Sequence, residues 1–168
     1  MKTLLIFRHG KTEKDAPHGD RERALTTRGE RDTQAMAHYL LAQAGPPDAI
    51  LASDAKRAQQ TAKILAKAID FAGKIESEPD IYGASLDTLL RVVRRLPDRA
   101  QRVVLVGHNP GFEELAAALG GEAVEGGHLP TAGVAHLEFD VDRWKDVRPG
   151  TGRLRGLYDP EEIPAPPD

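Results

Sequence analysis

Leu4-Leu5-Ile6-Phe7-Arg8-His9-Gly10 is a short run, apolar at every position, that stops abruptly on an arginine and a histidine. Val103-Val104-Leu105-Val106-Gly107-His108-Asn109-Pro110 repeats the form far along the chain and is the strongest strand signal in it. Runs apolar on both sides of a strand belong to sheets covered on both faces, which are mostly parallel. Between the two lies Ala49–Ala52, a third such run, ending at Ser53 with Arg57 just beyond.

Helical patterns alternate with these strands. Thr27 with Glu30 reads as a capping box opening a helix that carries Met36, Tyr39 and Leu40 and stops at Gly45-Pro46-Pro47. Lys56–Ile69 places Ala58, Ala62, Leu65 and Ile69 on one face. Ser85 caps a helix with Leu86, Leu89, Leu90 and Val93 that ends near Pro97, and Pro110 starts another over Gly111–Leu119. Ile75–Ile81 is a weak strand, and Val134–Val141 and Gly152–Tyr158 are late strands expected near the sheet edge, with Trp144 and Tyr158 packing the last of them. Residues 10–26 form a long loop, with Gly10, Pro17 and Gly19. The alternation predicts a single-domain α/β protein, a three-layer α/β/α sandwich with a mostly parallel central sheet over residues 1–158. The Pro-rich tail 159–168 is expected to be extended and mobile.

The 168 residues suit one core, and 40% hydrophobic with 29% charged content argues against disorder. Net charge is -3, so neither nucleic acid nor a membrane surface is an expected partner. The absence of cysteine excludes disulfides, thiol catalysis and Cys-ligated metal. The apolar run at the start ends at Arg8, too short for a signal peptide, and no span reaches membrane length. A cytoplasmic protein is expected, with a monomer as the expected state.

In parallel sheets, sites gather at the carboxyl ends of the strands. Each ending has a bland reading when taken alone: Arg8-His9 as a strand reaching water, Arg57 as a surface ion pair, His108 as a turn residue. Together, two arginines and two histidines are predicted on one sheet edge, and cations gathered so need an anion. Phosphate fits, because arginine forks grip its oxygens and a helix start after His108 adds N–H donors. No carboxylate or cysteine cluster at metal-ligand spacing accompanies them, so no metal and no cofactor is expected.

Leu5-Ile6-Phe7-Arg8-His9-Gly10 resembles the Arg-His-Gly signature of the histidine phosphatase superfamily. Ser53 through Thr61 is similar to that family's Ser-x-x-x-Arg-Ala-x-x-Thr block, and Val106-Gly107-His108-Asn109-Pro110 to its third. Arg23-Ala24-Leu25-Thr26 with Arg28-Gly29, and Ile81-Tyr82-Gly83-Ala84-Ser85, resemble segments of its SixA-type branch, the phosphohistidine phosphatases. The resemblance spans roughly residues 1–140 and implies a phosphoglycerate mutase-like fold.

It further implies that His9 is the nucleophile that becomes phosphorylated, and that Arg8, Arg57 and His108 bind the phosphoryl group and its transition state without a metal. Arg23 and Asn109 are implied as further phosphate contacts. For the leaving-group acid, Glu78 and Asp80 are candidates, although the pattern around them departs from that of larger members. Three functions are carried forward: a phosphatase acting on phosphohistidine of a protein, a phosphomonoesterase on a small phosphorylated molecule, and a catalytically retired phosphate-binding regulator, ranked last because every core position is present. His18 and His128 lie in predicted loops, facing either a substrate or water, and His38 and His136 are expected in solvent or core roles. Arg91, Arg94, Arg95, Arg99 and Arg102 read as a solvated face, with a docking patch for an acidic partner as the alternative.

Overall fold

A computed structural model of the chain describes residues 1–124 and 126–164. Six strands form one sheet in the order β3-β2-β4-β1-β5-β6. They are β1 (Lys2–Arg8), β2 (Ala49–Ala52), β3 (Glu76–Ser77), β4 (Arg102–Gly107), β5 (Val134–Phe139) and β6 (Arg153–Tyr158). β1, β2, β3 and β4 run parallel, and β5 opposes both β1 and β6. Four helices, α1 (Thr27–Ala44), α2 (Lys56–Ala68), α3 (Leu86–Arg94) and α4 (Gly111–Gly120), complete three layers.

The alternation of side chains along a strand builds two cores. Leu4, Ile6, Val103 and Leu105 meet α3 and α4 through Leu89, Val93, Phe112 and Leu115. Leu5, Phe7, Val104 and Val106 meet α1 and α2 through Met36, Leu40, Ala62 and Leu65. Every residue from Leu4 to Phe7 is fully buried, which is why the strand reads as an unbroken apolar run. No helix among the described residues is long and apolar enough to cross a membrane.

Several expectations shift. The α1 N-cap is Thr26, whose hydroxyl accepts from the Gly29 N–H at 2.9 Å, so the cap lies one residue before the predicted position. Ile75–Ile81 keeps only two residues of strand; Pro79 has no N–H for a ladder, and a 3-10 turn takes its place. The two late strands do lie at one side of the sheet, β6 as its edge and β5 next to it. Trp144 lies in a 3-10 turn, buried in the α3–α4 core with its indole N–H on the Ala100 carbonyl, 2.8 Å away. Within the tail, Glu162 N–H turns back to the Asp159 carbonyl, Glu161 pairs with Arg28, and Ile163 packs on the α1–α2 core, so that part is not extended. Residues 165–168 of the predicted tail lie outside the described residues.

Candidate active site

The order β2-β4-β1 puts three strand ends side by side. Arg8 pairs with Gly107 in the β1–β4 register. One step further, His9 N–H donates to the Gly107 carbonyl and Ser53 N–H to the Val106 carbonyl, both at 3.0 Å. His9, Ser53 and His108 thus leave the sheet at one level. The chain escapes this crowded edge across the start of α1, where Gly10 and Gly29 touch. A Cβ on Gly29 would lie 2.2 Å from the Lys11 carbonyl oxygen, and one on Gly10 would lie 2.7 Å from the Gly29 carbonyl oxygen, so only glycine fits at either place.

His9 and His108 face each other with ring centroids 5.3 Å apart. His9 Nδ1 sits 2.7 Å from the Gly10 carbonyl oxygen, which can only accept, so Nδ1 carries the hydrogen and Nε2 keeps its lone pair. The Ser53 hydroxyl accepts from the Ala55 N–H and lies 2.8 Å from His108 Nε2. With the Ser53 O–H donating to Nε2, neutral His108 is assigned its hydrogen on Nδ1. A nucleophilic nitrogen and an N–H donor are therefore set up on adjacent rings.

Arg57 projects from the first turn of α2 and is buried; its Nη1 donates to the Asp20 carbonyl at 2.8 Å and its Nη2 to the Asp20 carboxylate at 3.0 Å. Arg8 Nη1 and Asn109 Nδ2 both donate to the Leu129 carbonyl, at 3.1 and 2.8 Å. The loop bearing Leu129 is held by Glu113 of α4, which accepts from the Leu129 N–H and contacts His128 Nδ1. Arg23 bonds Thr12 and pairs with Asp20, which places it at the rim. Among the described residues, six buried side-chain polar atoms have no partner, and four belong to this group: Arg8 Nε, Arg57 Nε, His108 Nδ1 and Asn109 Oδ1. Buried polar groups are normally satisfied, so the unmet donors among them, Arg8 Nε, Arg57 Nε and His108 Nδ1–H, mark where an anion is received.

Arg8, His9, Arg57, His108, Arg23 and Asn109 are thus brought together, whereas Glu78 and Asp80 both pair with Arg95 and make no hydrogen bond or ion pair with the cluster. Other residues of the arginine run have local partners too: Arg94 donates to the Lys145 carbonyl and Arg102 to the Pro46 carbonyl. His136 is buried against Tyr158. Asp20, the Leu129 carbonyl and Glu113 carried no signal as site residues in the sequence. Tyr82 lay in a resembling segment but had no role attached to it.

Burial, chiefly, drops His9 to about 3, with His108, Arg57 and Arg8 adding repulsion. Burial, then Arg57, drops His108 to about 4. Both rings are neutral near pH 7, as a nucleophile and a neutral donor require. Because the folded-state values lie below the unfolded value near 6.5, the unfolded chain takes up protons first and stability falls as pH drops below 6.5. At pH 5 the loss relative to pH 7 is roughly 1–2 kcal/mol per histidine. NMR of the ligand-free protein is expected to show both imidazoles unprotonated from pH 8 to 5, while urea midpoints fall over the same range. A site ring titrating near 6.5 contradicts this.

Fold and site define an enzyme that handles phosphoryl groups. The chain belongs to the histidine phosphatase superfamily, branch 1, whose family pattern matches residues 4–89. It is 31% identical over 162 residues to an uncharacterized protein of Mycobacterium tuberculosis, covering 92% of this chain and 99% of the relative. The structure of a candidate phosphohistidine phosphatase SixA from Agrobacterium tumefaciens is 28% identical, with a TM-score of 0.79 over 94% of this chain and 97% of that one. The protein histidine phosphatase SixA complexed with tungstate shares the fold at 24% identity and a TM-score of 0.80, over 94% and 97%.

Proposed function

We propose that the enzyme removes phosphate from phosphohistidine on a protein. The carrying observation is the absence of a free carboxylic acid at the site among the described residues. Glu78 and Asp80 are paired with Arg95, and Asp20 is held as a carboxylate at about 2, by the Tyr82 hydroxyl first and then by Arg57 and Arg23. An alkoxide leaving group needs such an acid. A phosphorylated imidazole protonated by solvent at its other nitrogen leaves as neutral imidazole and needs none. The tungstate bound by a SixA of the same fold supports a tetrahedral oxyanion in this cleft.

In the proposed first step, the His9 Nε2 lone pair forms a bond to phosphorus while the P–N bond to the substrate ring breaks, its electron pair returning to that ring. His9 becomes a phosphoimidazolium, with its Nδ1–H still on Gly10. Arg8, Arg57 and His108 Nδ1–H stabilise the charge on the equatorial oxygens, the electrostatic work a metal does elsewhere. Water then attacks phosphorus, the P–N electron pair returns to Nε2, and the water proton passes to solvent.

A small phosphomonoester is the second reading. An open cleft of about 390 Å3, lined by Lys11, Arg28, His128 and Thr131 among others but by none of Arg8, His9, Arg57 and His108, has metabolite size. The test compares kcat/KM for a phosphohistidine protein, phosphoramidate and a panel of phosphomonoesters on wild type, Glu78→Gln and Asp80→Asn. We expect P–N substrates to be preferred and both variants to stay within about threefold of wild type. A preferred phosphomonoester with a variant loss of about 10²–10⁴-fold, the worth of a general acid, establishes the second reading instead.

A further inference from the structure

Asp20 lies in the long loop between β1 and α1, at a position to which the sequence attached no role. Gly19, with φ 101°, introduces a 3-10 turn over Asp20–Glu22, and a Cβ at Gly19 would meet nothing, so the glycine serves the backbone angle alone. The turn presents both the main-chain carbonyl and the carboxylate of Asp20 to one guanidinium. They take Nη1 and Nη2 of Arg57 and leave its buried Nε without a partner. A guanidinium can offer a second fork along its Nε edge, and a planar group held at one edge cannot swing the other.

Asp20 is itself fixed. The Tyr82 hydroxyl donates to the same carboxylate oxygen that Arg57 holds, and Arg23 reaches the other oxygen at 3.3 Å. Tyr82 stands edge-on to His108, with centroids 5.5 Å apart, and Arg21 stacks over its ring at 4.3 Å while pairing with Asp54. Segments from three parts of the chain thus converge on the outer edge of one arginine.

We propose that Asp20, braced by Tyr82, is a positioning residue that clamps Arg57 by its outer edge so that the Nε edge faces the transferring phosphoryl group. This rests on the reading of Arg57 as a phosphoryl-binding residue. Asp20 does not compete with phosphate and does not donate a proton to the leaving group; it acts through Arg57.

The experiment is a double-mutant cycle with phosphoramidate as substrate and vanadate as the binding probe. Asp20→Ala is expected to lower kcat about 10–100-fold, the range for misplacing a catalytic group by about 1 Å, with KM moving far less. Vanadate affinity should fall in parallel, and Tyr82→Phe should produce a smaller loss of the same kind. In an Arg57→Ala background, Asp20→Ala should change kcat by less than about twofold, because the group it positions is gone. Thermal melts check that each variant is folded; Asp20 is exposed, and little change is expected.

An undiminished Asp20 effect in the Arg57→Ala background overturns the proposal in favour of direct contact with substrate. Tighter vanadate binding in Asp20→Ala overturns it in favour of an internal competitor. Unchanged kcat in Asp20→Ala overturns it outright. Full activity of Arg57→Ala by itself is a different failure, that of the site reading.

Discussion

His9→Ala is expected to retain less than about one part in 10⁴ of wild-type kcat, the scale seen when a covalent nucleophile is removed. No other described side chain can replace it. The neighbouring ring, His108, has its Nε2 lone pair engaged by the Ser53 hydroxyl and a hydrogen assigned to Nδ1, so neither nitrogen has an uncommitted lone pair. Vanadate should still bind to the variant, since Arg8 and Arg57 keep their unmet donors. Rapid acid-free quenching of wild type with a labelled substrate should trap an acid-labile, base-stable phosphate on the protein, absent from His9→Ala. A variant keeping a tenth or more of the activity rules out His9 as nucleophile.

Arg57→Lys should cost about 10²–10³-fold in kcat, the range for removing one preorganised transition-state donor. Arg57 is 5% exposed, and both of its outer nitrogens are already engaged by Asp20. Its contribution to the phosphoryl group therefore depends on a rigid second edge. A lysine has one ammonium and no planar fork, so it can satisfy Asp20 or the phosphoryl oxygens, but not both in the same geometry. Because the ion pair with Asp20 survives in part, the melting temperature should fall by less than the activity implies. Near-normal kcat in Arg57→Lys reduces Arg57 to a structural partner of Asp20.

Much of this was legible because it is local or periodic. Strands buried on both faces must be apolar at each position, so Leu4–Phe7 and Val103–Val106 announce a covered parallel sheet from their sequence alone. In such a sheet, the strand ends collect on one edge, so Arg8, His9, Arg57 and His108 could be grouped from their places after strands. Thr26 was missed as the α1 cap only because Thr27, beside it, fits the same pattern.

What stayed hidden depends on contacts between residues far apart in the chain that no periodicity encodes. Asp20 reaches Arg57 across 37 positions and Tyr82 across 62, through a loop whose path depends on one positive-φ glycine. The Leu129 carbonyl, in a loop held by Glu113 of α4, positions Arg8 from 121 positions away. The residue types of the chemistry follow from sequence because an anion needs cations and a strand needs a core. Which edge of a guanidinium is free, which imidazole nitrogen keeps its lone pair, and that Glu78 and Asp80 are turned to Arg95 are set by the packed chain. These are properties of angles and neighbours, fixed only when burial forces each polar atom to find a partner or go without.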